Sequence, residues 1–281
     1  MAHFTLNPVM PVLMRPDGAV QVGWDPRRAI LVRPPEGLST AALADVLRAM
    51  QSGIALPDLI SLARNRGAVD EDAVTDLLES LKQSGVVTTA GPKTRSASIR
   101  IHGRGPLSDL LAGALRCSGT RVRRSSLSHA GVRPGSTDLV VLSDYLITDP
   151  QVVRDLHDAR VPHLPVRIRD GTGLVGPLVI PGLTSCLQCA DLHRSDRDAA
   201  WPAVAAQLRH AVGSADRATM LATAALALNE VNRVIAAVHR AAGDHRLAGE
   251  PPPTLDTTLE LDVHTGSTVS RRWSRHPRCE C

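Results

Sequence analysis

Hydrophobic and polar positions along the first ninety residues alternate at two different periods. Val12-Leu13-Met14 and Ala19-Val20-Gln21-Val22 flank Asp17-Gly18, a dipeptide suited to a tight hairpin, and predict two paired strands. Ala29-Ile30-Leu31-Val32 predicts a further strand, ended by Pro34-Pro35. Ser39 stands as the N-cap of a helix running to about Met50. A second short helix is expected from Pro57-Asp58 to just before Gly67. The third carries Val74, Leu77, Leu78 and Leu81 on one apolar stripe, with Asp70-Glu71-Asp72 at the end where acids suit the helix dipole. Gly85 ends it, and Val86-Val87-Thr88-Thr89 predicts a closing strand. Strands, three helices and a strand form a winged-helix-like α+β pattern. Such a module binds DNA or packs against protein. The third helix would enter a DNA groove, and its Asp70, Glu71, Asp72, Asp76 and Glu79 against Lys82 oppose phosphate.

Ala90 to Ser96 reads as a linker, dividing the chain into domains at 1–90 and 97–281. Ala97–His102 predicts a strand, followed at once by Gly103-Arg104-Gly105 and a helix from Pro106 to about Arg116. Strand, glycine turn and helix open a Rossmann-like βαβ unit. Ser108 stands where the third glycine of that motif belongs, so the turn is either a phosphate cradle or a structural bend. The next strand, Arg121 to about Ser126, offers Arg121, Arg123 and Arg124 but no acid for a ribose. Asp138–Asp144 reads as a buried parallel strand with an acid at its C-terminal end, the ligand side of open α/β sheets. Asp144 would hold a metal–nucleotide complex or cap the helix beginning near Thr148-Asp149-Pro150.

Further on, an Ala-rich helix is expected from about Ser214 to Gly243. Leu221, Ala224, Ala225, Leu228, Val231, Ile235 and Val238 make it apolar on more than one face, so it is central or lies at an interface. Thr257–Val263 and Ser267–Trp273 predict a hairpin around His264-Thr265-Gly266.

Composition narrows the class. The chain has 281 residues, 43% hydrophobic and 21% charged, which suits a globular core and excludes disorder or coiled coil as the main architecture. Aromatics are 2%, so base stacking cannot be the main binding mode. A net charge of +4 is too small to imply a nucleic acid or membrane partner. The N-terminus shows no basic segment followed by an apolar run, and no apolar stretch reaches the ~18 residues of a membrane span, so a cytoplasmic protein is expected.

In that compartment thiols stay reduced, and cysteines are metal or catalytic candidates. Cys186-Leu-Gln-Cys189 and Cys279-Glu-Cys281 are two short thiolate pairs, and together they suit a closed, structural tetrahedral zinc site that staples the C-terminus to the body. His276 is a substitute for one thiolate; a redox dithiol is disfavoured because no helix N-terminus is evident beside Cys186. Cys117 reads as a small buried residue. Arg167, Arg169, Arg194 and Asp198 lie near this segment, as functional groups or as ordinary ion pairs.

Val175-Gly-Pro-Leu-Val-Ile-Pro-Gly-Leu-Thr-Ser-Cys-Leu-Gln-Cys189, then Asp191 to Asp198, Trp201-Pro202 and a terminal His-Pro-x-Cys-x-Cys, resemble one family: the ThiF-like partner proteins of azole-forming (TOMM) peptide biosynthesis, known as cyclodehydratase or leader-peptide-binding proteins. The resemblance runs from about residue 97 to the end. It implies a ThiF/MoeB ubiquitin-activating fold with a four-cysteine zinc site. The N-terminal module is similar in layout to that family's peptide-recognition element. The resemblance implies that a precursor leader adds as a strand beside Ala29, Ile30, Leu31 and Val32, facing Val74, Leu77 and Leu78, with the acidic helix favouring a basic leader. It also implies a YcaO-type partner that uses ATP for the ring-forming chemistry, and a homodimer. Active adenylating members use a fuller glycine motif; here Gly103, Arg104, Gly105 and Asp144 would be the remnant that meets MgATP, and Asp144 falls near the superfamily's metal-binding acid. The expected function is a scaffold that captures a ribosomal precursor peptide. The alternatives are an ATP-dependent adenylyltransferase acting on a peptide or sulfur-carrier C-terminus, and a zinc-containing winged-helix regulator.

Overall fold

The computed structural model describes residues 3–67, 70–90, 96–116, 118–127, 131–132, 135–241 and 251–281. Cys117, most of the expected linker and the end of the expected Ala-rich helix lie outside these residues. The chain forms two compact units, Met1–Thr94 and Arg95–Cys281.

The first unit contains β1 (His3–Leu6), β2 (Val12–Met14), β3 (Val20–Val22), β4 (Ile30–Val32), α1 (Thr40–Met50), β5 (Ile54–Ala55), α2 (Leu56–Asn65), α3 (Glu71–Gln83) and β6 (Val87–Ala90). β2, β3 and β4 form an antiparallel meander turned by Asp17-Gly18, with Val20 opposite Val32. Ser39 caps α1 by accepting from the Ala42 N–H, and Asp70 caps α3 by accepting from the Asp72 N–H. A second antiparallel sheet, ordered β5-β1-β6, was not expected. β1 is four residues long and pairs with β6 at the other end of the unit, Leu6 opposite Val87, so nothing local signals it. Leu6, Val20, Leu43, Leu47, Leu59, Val74, Leu78 and Leu81 make the core. Leu77 departs from its stripe: it is half-buried and packs only at the core's margin.

The second unit contains β7 (Ser98–His102), α4 (Pro106–Leu115), β8 (Arg121–Ser125), β9 (Leu139–Ser143), α5 (Pro150–Asp158), β10 (His163–Arg169), β11 (Thr172–Val175), α6 (Leu187–Arg197), α7 (Trp201–Leu208), α8 (Arg217–Ala241), β12 (Thr257–Asp262) and β13 (Ser267–Arg272). Seven strands form one mixed sheet in the order β13-β12-β11-β10-β9-β7-β8. The β8-β7-β9-β10 half is parallel and the β11-β12-β13 half antiparallel. β9 is buried on both faces: Leu139 and Val141 join the cluster containing α4 and α8, and Val140 and Leu142 join the cluster containing α5 and α6. Helices therefore cover both faces, as an α/β sheet requires.

β10 and β11, absent from the sequence reading, are joined by Asp170-Gly171, both at positive φ. That is the hairpin chemistry already recognised at Asp17-Gly18. α8 differs from expectation in two ways. Its buried positions Met220, Ala224, Ala227, Val231 and Ile235 form one stripe on the sheet, while Leu221 and Ala225 are exposed. Its Arg217–Val238 stretch is, by length and mean hydropathy, long and apolar enough to cross a membrane, contrary to the expectation that no stretch is. Within it, Glu230 is buried, accepting a hydrogen bond from Thr254 Oγ1 at 2.5 Å with Arg233 at 3.5 Å.

Candidate functional site

Two chain segments bring the cysteines together. Cys186 is the N-cap of α6, its Sγ accepting from the Cys189 N–H at 3.4 Å, and Cys189 lies in the first turn. Cys279 and Cys281 arrive after β13, anchored by the Cys279 N–H donating to the His276 carbonyl. The four sulfurs lie within 4.8 Å of one another. The closest pairs are Cys186–Cys189 at 3.7 Å, Cys186–Cys279 at 3.6 Å and Cys189–Cys281 at 3.4 Å. A tetrahedron with metal–sulfur bonds of ~2.3 Å, the zinc–thiolate length, needs sulfur–sulfur edges of about 3.8 Å. The group could therefore hold a metal ion. Burial pushes the Cys186 thiol well up from its ordinary pKa and the Cys281 thiol up to about 11, so holding these two sulfurs as thiolates would require a cation.

His276 is not in that shell. Its Nε2 faces the Asp196 carboxylate at 2.8 Å and its Nδ1 accepts from the Arg278 N–H at 3.1 Å, so both ring nitrogens are engaged. Asp196 and the buried His276 instead brace the segment that carries Cys279. A helix N-terminus does lie beside Cys186, contrary to expectation. What weighs against the redox alternative is the two further sulfurs at the spacing of ligands that share one metal, and no longer the lack of an activating helix.

The glycine turn resolves differently from a phosphate cradle. Asp144 is 1% exposed, at φ +71°, just beyond β9. Its carboxylate accepts from the N–H groups of Leu107 at 2.9 Å and Ser108 at 3.1 Å, the first turn of α4. Ser108 Oγ also donates to it and lies 2.8 Å from Ser143 Oγ. A helix N-terminus after a Rossmann strand attracts anions, and here the anion is the chain's own carboxylate. Gly103 and Gly105 are needed for space: a Cβ on Gly103 would meet the Ser143 carbonyl at 2.1 Å, and one on Gly105 would meet Asp144 Oδ1 at 2.7 Å. Asp144 does not cap α5; Asp149 does, accepting from the Gln151 N–H at 2.7 Å. Arg104 is exposed, and Arg124 pairs with Asp109 at 2.7 Å. The first-turn donors of α4 that a nucleotide phosphate would need are taken, so these residues do not fit ATP in this conformation.

A third feature lies in the first unit. β4 is an edge of its sheet, and between it and α3 runs an open groove of about 450 Å3. Ile30, Leu31, Val32 and Arg33 line one side, and Ala73, Asp76, Leu77, Ser80 and Ser84 the other. Leu31 is 59% exposed although apolar. Of the residues expected here, Ile30, Leu31, Val32 and Leu77 do face the groove, whereas Val74 and Leu78 are buried in the core behind it. The missed residues Ala73, Asp76, Ser80 and Ser84 sit three or four apart, on the helix face beside the buried stripe, and that spacing was readable. Arg33 and Asp76 are the charged groups of the lining, so the acidity of α3 does not concentrate in the groove.

The remaining basic candidates separate. Arg169 pairs with Glu260 at 2.9 Å and Arg194 with Asp191 at 2.9 Å, while Asp198 closes a turn by accepting from the Ala200 N–H. Arg167 has no ion-pair partner among the described residues.

No family model and no curated protein matches this chain. Solved structures do. The heterocyclase TruD matches all of this chain and 42% of its own, at TM-score 0.68 and 16% identity. A heterocyclase in complex with substrate and cofactor matches all of it and 39% of its own, at TM-score 0.69 and 17% identity. E. coli MccB with ATP matches over 100% of this chain and 99% of its own, at TM-score 0.56 and 13% identity. The chain spans about two-fifths of the length of those heterocyclase chains. At these identities the likeness is one of fold: the chain shares a mixed α/β architecture with these structures.

Proposed function

We propose that this chain is a peptide-binding scaffold in azole-forming peptide biosynthesis. The leader of a ribosomal precursor peptide adds to β4 as a further strand and packs its side chains into the β4–α3 groove. The second unit, a ThiF-like sheet stapled by structural zinc on Cys186, Cys189, Cys279 and Cys281, presents the peptide to a YcaO-type enzyme that performs the ATP-dependent ring closure. The observation that carries the reading is the groove, where an edge strand offers unpaired backbone groups beside the apolar side chains of Leu31 and Leu77. Zinc would contribute folding energy and no open coordination position.

The adenylyltransferase reading loses its anion site to Asp144. The regulator reading meets an exposed acidic helix, Asp72, Asp76 and Glu79. The groove's balanced charges also withdraw the preference for a basic leader; apolar residues at alternate positions are the expected signal.

The test is selection from a displayed library of ~20-residue peptides on the zinc-loaded full chain. Enrichment of sequences with alternating apolar residues, bound at least about tenfold more weakly by Leu31→Asp, supports the proposal. Enrichment indifferent to Leu31→Asp and Arg33→Glu would sink it.

A further inference from the structure

The second unit holds a cavity of about 230 Å3 that neither the cysteine cluster nor the glycine turn uses. It lies beyond the C-terminal ends of the parallel strands β9 and β10, where open α/β sheets take their ligands. Ile147, Pro150, Val153, Pro177, Leu187 and Trp273 make apolar walls. Two cations among them make no ion pair among the described residues: the exposed Arg154, and Arg167 from β10, which is half-buried. Its Nη1 donates to the Leu146 carbonyl at 2.7 Å. Among the described residues no carboxylate lies within ion-pair distance of it. A guanidinium has five N–H donors in a planar fork, and among the described residues this one commits a single bond. Burial lowers its pKa to about 10, which still leaves it charged at neutral pH.

Of the other charged groups of the lining, Arg194 and Asp191 pair with each other. Arg194 bonds Asp191 at 2.9 Å and lies over the rings of Trp201 and Trp273, 5.0 and 5.1 Å from their centroids. Asp191 also accepts from Trp201 Nε1 at 3.3 Å. Arg154 donates to Gln151 at 2.7 Å. Arg194 and Asp191 form an ion pair, Arg154 is exposed to solvent, and Arg167 is the half-buried positive charge among the apolar walls. Leaving such a charge unpaired is costly, and a ligand that supplies the partner recovers that cost on binding.

We propose that this cavity is a binding site for a monocarboxylate on a small apolar body, with the Arg167 fork as the carboxylate's partner. The carboxylate matches the planar fork in two parallel bonds. One half-buried fork set among apolar side chains offers a place for one negative charge. The volume lies below the ~300–1,000 Å3 of drug-sized sites, which limits the ligand to about one amino-acid residue. Such a carboxylate comes from a free small acid or from the last residue of a peptide. The proposal concerns the second unit alone and does not depend on the β4–α3 groove.

The test is fluorescence titration of the zinc-loaded full chain, read from Trp273 in the cavity wall. The probes are N-acetyl-leucine, its uncharged amide, and a tetrapeptide ending in leucine as free acid and as amide. Saturable binding of a free acid is expected, with the matching amide weaker by about tenfold or more, since a charge-assisted pair is lost. Arg167→Leu should abolish the response and Arg167→Lys should restore part of it. If Arg167→Leu fails to fold, Val153→Phe fills the cavity while keeping the cation, and should block binding equally. Preference for N-acetyl-leucine assigns the site to a free small acid, and preference for the tetrapeptide assigns it to a chain end. Equal binding of acid and amide, or no saturable response to either acid at 10 mM on the order of weak-ligand concentrations, overturns the proposal.

Discussion

Single residues decide three properties of this protein. Asp144 closes the N-terminus of α4, and its removal strands two buried N–H donors. Asp144→Ala should cost about 3 kcal/mol by denaturant unfolding, whereas Asp144→Asn, which keeps an acceptor and tolerates φ +71°, should cost about half that. Neither wild type nor Asp144→Asn should bind MgATP in calorimetric titration; saturable binding by wild type would reinstate the nucleotide site. His163 is fully buried, its Nδ1 on the Val161 carbonyl at 3.1 Å and its ring 5.5 Å from that of His157. Burial pushes its pKa down from 6.5 to about 4, and that of His157 downward as well. Because the depressed group is a histidine, the unfolded chain takes up the proton first. Stability should therefore be full above pH 6.5 and fall as the pH drops towards 4, by about 2 kcal/mol between pH 7 and pH 5. Urea midpoints at the two pH values, with His163→Gln losing much of the difference, check this.

Elements were legible where their signal is local. The Asp17-Gly18 hairpin, the Ser39 and Asp70 caps and the stripe of α3 were all readable, because turn chemistry and capping act within a few residues. β1 and β5 were not, since each is short and gains its stability from partners distant in the chain. β10 and β11 carry the Asp170-Gly171 turn signal, but their residues are largely buried on both faces and show no clear alternation of apolar and polar positions. At this scale the test is Gly171→Val. Gly171 has φ +80°, so a β-branched residue should strain the turn by about 1–2 kcal/mol, and the loss should appear as faster amide exchange in β10 and β11. Unchanged exchange would mean the turn does not set the register.

The whole molecule depends on closing contacts that span long stretches of chain. The cysteine cluster ties the residues after β13 to the N-terminus of α6. Chelation of the zinc-loaded protein should loosen β12 and β13 in hydrogen exchange. Cys189→Ser and Cys281→Ser should each lower stability by about 3 kcal/mol or more, about 6–12 °C in Tm. Unchanged melting and metal content in both variants would refute the metal centre. The first unit has its own core, from Leu6 to Val87, so residues 1–94 expressed alone should give a dispersed amide spectrum whether or not metal is present. A collapsed spectrum would show that this core is insufficient by itself.

The sequence by itself determined the helices of the first unit, the strand–turn–helix at β7 and α4, the closing hairpin and the identity of the four cysteines. Each rests on periodicity, capping or residue chemistry, and none needs a distant partner. Only the tertiary structure decided what those residues meet. It brought two cysteine pairs to metal-binding distance and released His276 to brace the C-terminal segment. It set Asp144 against a helix N-terminus that sequence alone would have offered to a phosphate. It also left Arg167 as a half-buried cation without a carboxylate partner among the described residues, since charge pairing depends on distances in space that residue spacing does not encode.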